Sequence, residues 1–205
     1  MTSASPVPAA DDVRLDGRAE RRERNRASVV EALLDLYREG QLAPSAELIA
    51  RRAGVSPRSL FRYFDDVDAL VREAVAQQQA RLAPMLVVTI DPALPFDRRL
   101  QELVALRLDL YEAMGPVARV ARAIAAQQPR VASELGRIRG VLREQLASAF
   151  APELTAMREP ARARALATAD VLASWEAVDL LRSDQGLARP EAAAAVAAGL
   201  TAVLL

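Results

Sequence analysis

The chain has 205 residues with 27 basic and 27 acidic side chains, no cysteine and no histidine. Without cysteine there is no disulfide scaffold, and without histidine the commonest general acid/base and the commonest metal ligand are both missing. All 27 basic residues are arginine, so enzymatic chemistry would have to rest on carboxylates, serine or arginine alone.

The first residues, through about Gly17, are rich in Ser, Pro, Ala and Asp and show no periodicity, so residues 1–17 are expected to form a disordered tail. They carry no charged stretch followed by an apolar one, and a cytoplasmic location is expected. Val30, Leu33, Leu34 and Tyr37 then recur at three- and four-residue steps with Gly40 as a stop, which predicts a first helix from Ala19 to Glu39. Ser45 is a good N-cap for a second helix of about two turns that ends before Gly54. Ser56 caps a third, with Pro57 at the first helical position, where a missing N–H costs nothing. Asp65 or Asp66 caps a fourth, which carries Leu70, Val71, Ala74 and Val75 and runs to about Val87.

Beyond the stretch TIDPALPFD, the breaks at Pro95, Gly115–Pro116, Pro129, Pro152, Pro160 and Pro190 divide the remainder into about five more helices. No strand-like alternation occurs. The expected fold is all-α with about nine helices: a three-helix helix-turn-helix domain over residues 18–65, then a helical bundle over residues 66–205 for ligand binding and dimerisation.

Between Arg51 and Arg62 lie four arginines (Arg51, Arg52, Arg58, Arg62) and no acid, a local positive field in a chain of zero net formal charge. Ala50 is small where two helices would cross, and Gly54 permits the positive φ of a tight turn. If Ile49, Ala53, Val55, Leu60 and Phe64 form a miniature core, then Pro57, Arg58, Ser59, Arg62 and Tyr63 point outward. An exposed helix N-terminus suits a phosphate, arginine can take guanine O6 and N7 in a fork, and Ser45, Ser56 and Ser59 can serve phosphate oxygens. The partner this predicts is double-stranded DNA. Upstream, RAERRERNR (Arg18 to Arg26) reads either as a basic arm reaching DNA or as a solvated helix start with Glu20 and Glu23 paired to arginines one turn on.

The segment SAELIARRAGVSPRSLFRYFDDVDALVREAV, Ser45 to Val75, resembles the DNA-binding domain of the TetR family of bacterial transcriptional regulators. The resemblance implies a homodimer, recognition helices in successive major grooves and a C-terminal ligand domain. It carries Ser45, Ser56, Arg58, Ser59, Phe61 and Tyr63 over as DNA contacts. Two positions depart from the family pattern: Arg58–Ser59 stands where a small pair such as Gly-Thr is usual, and Val67 where a lysine is usual. The second change removes an expected phosphate contact, with Asp65, Asp66 and Asp68 close by.

In the C-terminal half, Leu103, Tyr111, Met114 and Trp175 can line an interior that holds a small, largely hydrophobic effector, with polar groups such as Arg107, Asp109 or Gln145 to orient it; plain core packing is the alternative. After Glu191 the last helix has no charge on any side, so it is buried either within the bundle or against a second copy. A symmetric homodimer through this helix and the preceding one around Trp175 is expected. Its uncharged stretch from Ala192 to Leu205 is too short to span a bilayer, and neither a membrane partner nor a cofactor is expected. A helical enzyme built on Asp109, Asp170 or Asp179 is the competing class, but nothing spaces these residues as a metal or acid/base pair. A helix-turn-helix protein that has lost DNA binding is a third.

Overall fold

The structure, a computed structural model, describes residues 10–205, with side chains from residue 19 onward. Among the described residues the secondary structure is entirely helical. By internal contacts the chain divides into two compact units, Met1–Gln77 and Gln78–Leu205.

The first unit is built on α1 (Ala10–Arg38), whose Val29, Val30, Leu33, Leu34, Leu36 and Tyr37 are all buried. Each full burial of such an aliphatic side chain contributes roughly 1.5–3 kcal/mol. The phenol of Tyr37 is pushed up to about 12 by the same burial. Against α1 pack α2 (Ala46–Arg52) and α3 (Pro57–Tyr63), which close the core with Ile49, Ala50, Leu60 and Phe64. Ala53 and Val55, expected in that core, are half-buried, because they belong to the turn rather than to either helix. Helix α1 begins at Ala10, which corrects the expectation of a disordered tail for residues 10–17; Pro8 is the last residue there that cannot continue a helix. The rest of that expectation, residues 1–9, lies outside the described residues.

Helix α4 (Val67–Leu86) starts with Asp66 Oδ1 accepting from the Ala69 amide and spans the division between the units. The expected boundary between residues 65 and 66 therefore moves to the middle of α4. Its first half is tied to α1 by an ion pair between Arg26 and Glu73 and by Gln77 Nε2 donating to Glu31 Oε1 at 2.9 Å.

The second unit contains α5 (Phe96–Ala125), α6 (Pro129–Ala149), α7 (Ala151–Ala156), α8 (Ala161–Leu172), α9 (Trp175–Asp179), which runs on into a π-helical turn at Leu180–Asp184, and α10 (Arg189–Leu204). Helix α5 is the spine, packed on α6, α9 and α10. It breaks at Gly115 (φ 50°, ψ −149°), a conformation open essentially to glycine alone, just before Pro116, which has no N–H to offer the ladder. The buried Arg99 joins α5 to α7. Its guanidinium donates to both carboxylate oxygens of Glu153 at 2.8 and 2.6 Å and to the Ala149 carbonyl at 2.6 Å, and it lies against the rings of Phe96 and Phe150.

Helix α10 buries Ala192, Val196, Leu200 and Leu204 and exposes Ala194, Ala195, Ala198 and Ala202. Close approach to α8 is required at Gly199, where an added Cβ would sit 3.2 Å from a Leu172 methyl. The last helix is therefore not the centre of the bundle: one apolar face is packed and the other is open. Trp175, expected at a subunit face, is buried within its own chain, whereas Val171 of α8 is 65% exposed.

Candidate nucleic-acid interface and ligand cavity

Local chemistry fixes the α2–turn–α3 segment almost residue by residue. Ser45 Oγ accepts from the Leu48 amide at 3.2 Å and Ser56 Oγ from the Ser59 amide at 3.1 Å, so each helix has one orphan donor satisfied at its start. Pro57 occupies the first turn of α3. Gly54, at φ 68°, closes α2 by letting its own amide reach the Arg51 carbonyl while the Val55 amide reaches that of Ala50. The two serines are thus engaged as caps, and Ser56 also donates to Ser59 Oγ at 3.0 Å. Their hydroxyls remain at the helix starts, where free N–H groups and the macrodipole favour an anion.

Leu60 points into the unit, so the opposite face of α3 is outward: Pro57, Arg58, Phe61 and Arg62 are exposed, and Ser59 and Tyr63 are half-buried. Phe61 is 50% exposed, an aromatic ring that the core does not use. Tyr63 is held in place, its hydroxyl receiving hydrogen bonds from Asn25 Nδ2 at 3.2 Å and an Arg62 Nη at 3.1 Å. Those two donors, Asn25 first, hold its phenol below the ordinary tyrosine value.

The four arginines are not equivalent. Arg52 makes a two-pronged ion pair with Glu39, both contacts at 2.7 Å, whereas Arg51 and Arg58 are exposed and have no protein partner among the described residues. The free positive field is smaller than the count of four suggests. In the upstream RAERRERNR stretch, Arg26 pairs with Glu23 and Glu73 and lies 5.1 Å over the Phe64 ring, a structural role, while the side chain of Arg18 lies outside the described residues. Val67 is half-buried at the start of α4; of the nearby aspartates, Asp66 is the helix cap, and Asp65 and Asp68 are exposed.

Residues 36–74 match the family model described as bacterial regulatory proteins, tetR family. That stretch, from the end of α1 through α2 and α3 into α4, carries the TetR-family sequence pattern. The fold as a whole is also similar to two solved structures. SCO7518, a candidate transcriptional regulator from Streptomyces coelicolor A3(2), is 22% identical, with a TM-score of 0.59 over 88% of this chain and 98% of that one. GusR of Salmonella enterica is 17% identical, with a TM-score of 0.55 over 88% of this chain and 95% of that one. No curated protein sequence matches.

The second unit contains a cavity of about 350 Å³, within the size range of small-molecule sites. Arg107, Tyr111, Met114 and Trp175 line it, and spacings of four and three along α5 put the first three on one helix face. Leu103 and Gln145 do not reach it; they line a much smaller neighbouring cavity that shares Arg107, because Leu103 and Arg107 are neighbours one turn apart. Sequence reasoning did not place four charged residues in this wall: Arg122, farther along α5, and Arg139, Asp170 and Glu176, which come from α6, α8 and α9.

Tyr111 is locked, its hydroxyl donating to the Ala173 carbonyl at 2.6 Å, and burial holds its phenol well above the ordinary value. The Arg122 guanidinium stacks 4.0 Å over the Trp175 ring and donates to Glu176 at 2.8 Å, and Arg139 bonds the same carboxylate. Partial burial of Glu176 works to raise its carboxyl, but the two guanidinium hydrogen bonds outweigh it and bring it down to about 2. The carboxylates weighed for an enzyme are each tied to a separate arginine: Asp109 to Arg189, Asp170 to Arg143, Asp179 to Arg119. Among the described residues no acidic cluster is arranged to hold a metal, and no helix is long and apolar enough to cross a membrane.

Proposed function

We propose that the chain is a sequence-specific DNA-binding transcriptional regulator, a repressor that binds a palindromic operator as a homodimer and leaves it when a small molecule fills the bundle cavity. The observation that carries this reading is the outward face of α3, where Arg58 stands unpaired beside Phe61 and Ser59 at a capped helix N-terminus. Such a face fits a major groove: the arginine fork reads guanine, and the helix start takes a phosphate. Ser45, Ser56, Pro57, Arg58, Ser59, Phe61, Arg62 and Tyr63 form the proposed contact set.

Dimerisation is supported by the open apolar surface of α10 with its row of alanines, by Leu205, which is 78% exposed, and by the exposed Val171 on α8. Small side chains let two such helices approach closely, and a two-fold pair places recognition helices about 34–36 Å apart, one turn of DNA. The route from cavity to DNA is supported by one hydrogen-bonded chain: Arg107 donates to Gln145, whose amide donates to the Leu86 carbonyl at the end of α4. A ligand that displaces Arg107 then acts on the helix whose first half is built into the DNA-binding unit.

Selection of bound fragments from genomic DNA, followed by gel shifts, tests the reading. Arg58→Ala is expected to relax the sequence preference of the selected site. Retention of the full preference in that variant, or no protection of any fragment by the unaltered protein, overturns the proposal.

A further inference from the structure

The cavity has an unbalanced charge. Arg107 is only 5% exposed, yet its two hydrogen-bond partners are neutral: Gln145 Oε1 at 2.9 Å and the Leu142 carbonyl at 2.6 Å. Two of its five N–H donors are so used. The two acids in the cavity wall are taken by other arginines, Asp170 by Arg143 at 3.1 Å and Glu176 by Arg122 and Arg139. The cavity wall therefore carries three guanidinium groups, Arg107, Arg122 and Arg139, against two carboxylates, and Arg143 compensates Asp170 from outside the lining. A buried cation without a counter-ion is destabilising, and an arriving anion removes that cost, whereas a neutral or cationic ligand leaves or worsens it. Burial holds the Arg107 guanidinium below its ordinary pKa, although Tyr111 and Asp170 act in the opposite direction.

The rest of the wall is apolar, from Met114, Leu135, Ile138, Leu142, Leu146 and the Trp175 ring. Tyr111 already gives its hydroxyl hydrogen to Ala173 and offers no competing donor.

We propose that the cavity selects an anionic amphiphile, a small molecule with one carboxylate-type head hydrogen-bonded to Arg107 and an apolar aliphatic or aryl body against Trp175 and Met114. This rests on the reading of the cavity as the effector site, and it replaces a merely hydrophobic effector with one of defined charge.

Trp175 is the only tryptophan of the chain and lines the cavity, so its fluorescence reports occupancy directly. The probes are two matched series at neutral pH, octanoate, octanol and octylamine, and phenylpropanoate, phenylpropanol and phenylpropylamine. The acid is expected to bind at least about tenfold tighter than the alcohol in one or both series, with the amine weakest, as a charge-assisted hydrogen bond to a buried arginine requires. In Arg107→Met the preference for the acid is expected to vanish while alcohol binding persists. The comparison in the unaltered protein stands by itself should that variant fail to fold. Alcohols that bind as tightly as their acids overturn the charge selection but leave an effector site in place. A preference for the acid that persists in a folded Arg107→Met protein overturns the assignment of the head to Arg107. If no member of either series alters Trp175 fluorescence, both the anion proposal and the effector reading fall.

Discussion

Arg52 and Arg58 separate two ways of counting positive charge at the DNA-binding unit. Both are exposed arginines of the same short segment, but Arg52 is bound at 2.7 Å through two Nη atoms to Glu39, and Arg58 has no protein partner among the described residues. On a random-sequence duplex, where its guanine contact is absent, Arg58 is left to the phosphates; each phosphate so neutralised contributes about 0.9 to the logarithmic salt slope, so Arg58→Ala in the proposed two-fold complex flattens the slope by about 1.8. Over a fourfold rise in salt that is about a twelvefold difference in retained affinity between the variant and the unaltered protein. The Arg52→Ala slope is expected to change by less than half as much, because that guanidinium is already neutralised within the chain. Fluorescence anisotropy on a random-sequence duplex over a salt series measures both without knowledge of the operator. Equal flattening in the two variants would refute the reasoning, since it would mean that the Glu39 pair opens onto DNA.

Three further outcomes follow from the packing. Glu153→Gln leaves Arg99 buried without a counter-charge and is expected to cost about 3 kcal/mol in urea unfolding, with Arg99→Met/Glu153→Leu recovering much of it. Gly54→Ala meets no atom within 4 Å, so its cost of about 1 kcal/mol is that of the left-handed backbone alone, and a glycine-to-asparagine change there should cost less. Glu176, whose carboxyl is lowered to about 2 from an ordinary 4.5, contributes stability that is fully present above pH 4.5 and is lost as the pH falls toward 2. Melting curves of Glu176→Gln across that window are expected to show a shallower acid decline than the unaltered protein.

The helix-turn-helix was legible in the sequence because every part of it is local. Ser45, Gly54, Ser56 and Pro57 each satisfy or terminate a helix within four residues, and the period of Leu60 and Phe64 fixes the buried face. The pairing of Arg52 with Glu39 was not legible: thirteen residues and a turn intervene, and the surrounding sequence reads as uncompensated basic charge. In the cavity the same division holds. Arg107, Tyr111 and Met114 share a face of α5 by spacing alone, but Glu176 meets Arg122 and Arg139 only through tertiary packing. The open face of α10 was foreseeable from its lack of charge, whereas its neighbour α8 was not, because arginines at positions 162 and 164 make that helix look solvated throughout.

At the break in α5 the Ala113 carbonyl, near the interruption at Gly115, accepts from Gln78 Nε2 at 2.9 Å, while the other atom of the same amide, Gln78 Oε1, is buried with no partner. Because Oε1 is buried without a partner, the desolvation of that atom offsets part of what the Nε2 bond contributes. What the glutamine adds is direction: a single oriented link from α4 to the carbonyl beside the break sets the register of one rod on another as a detent sets a dial.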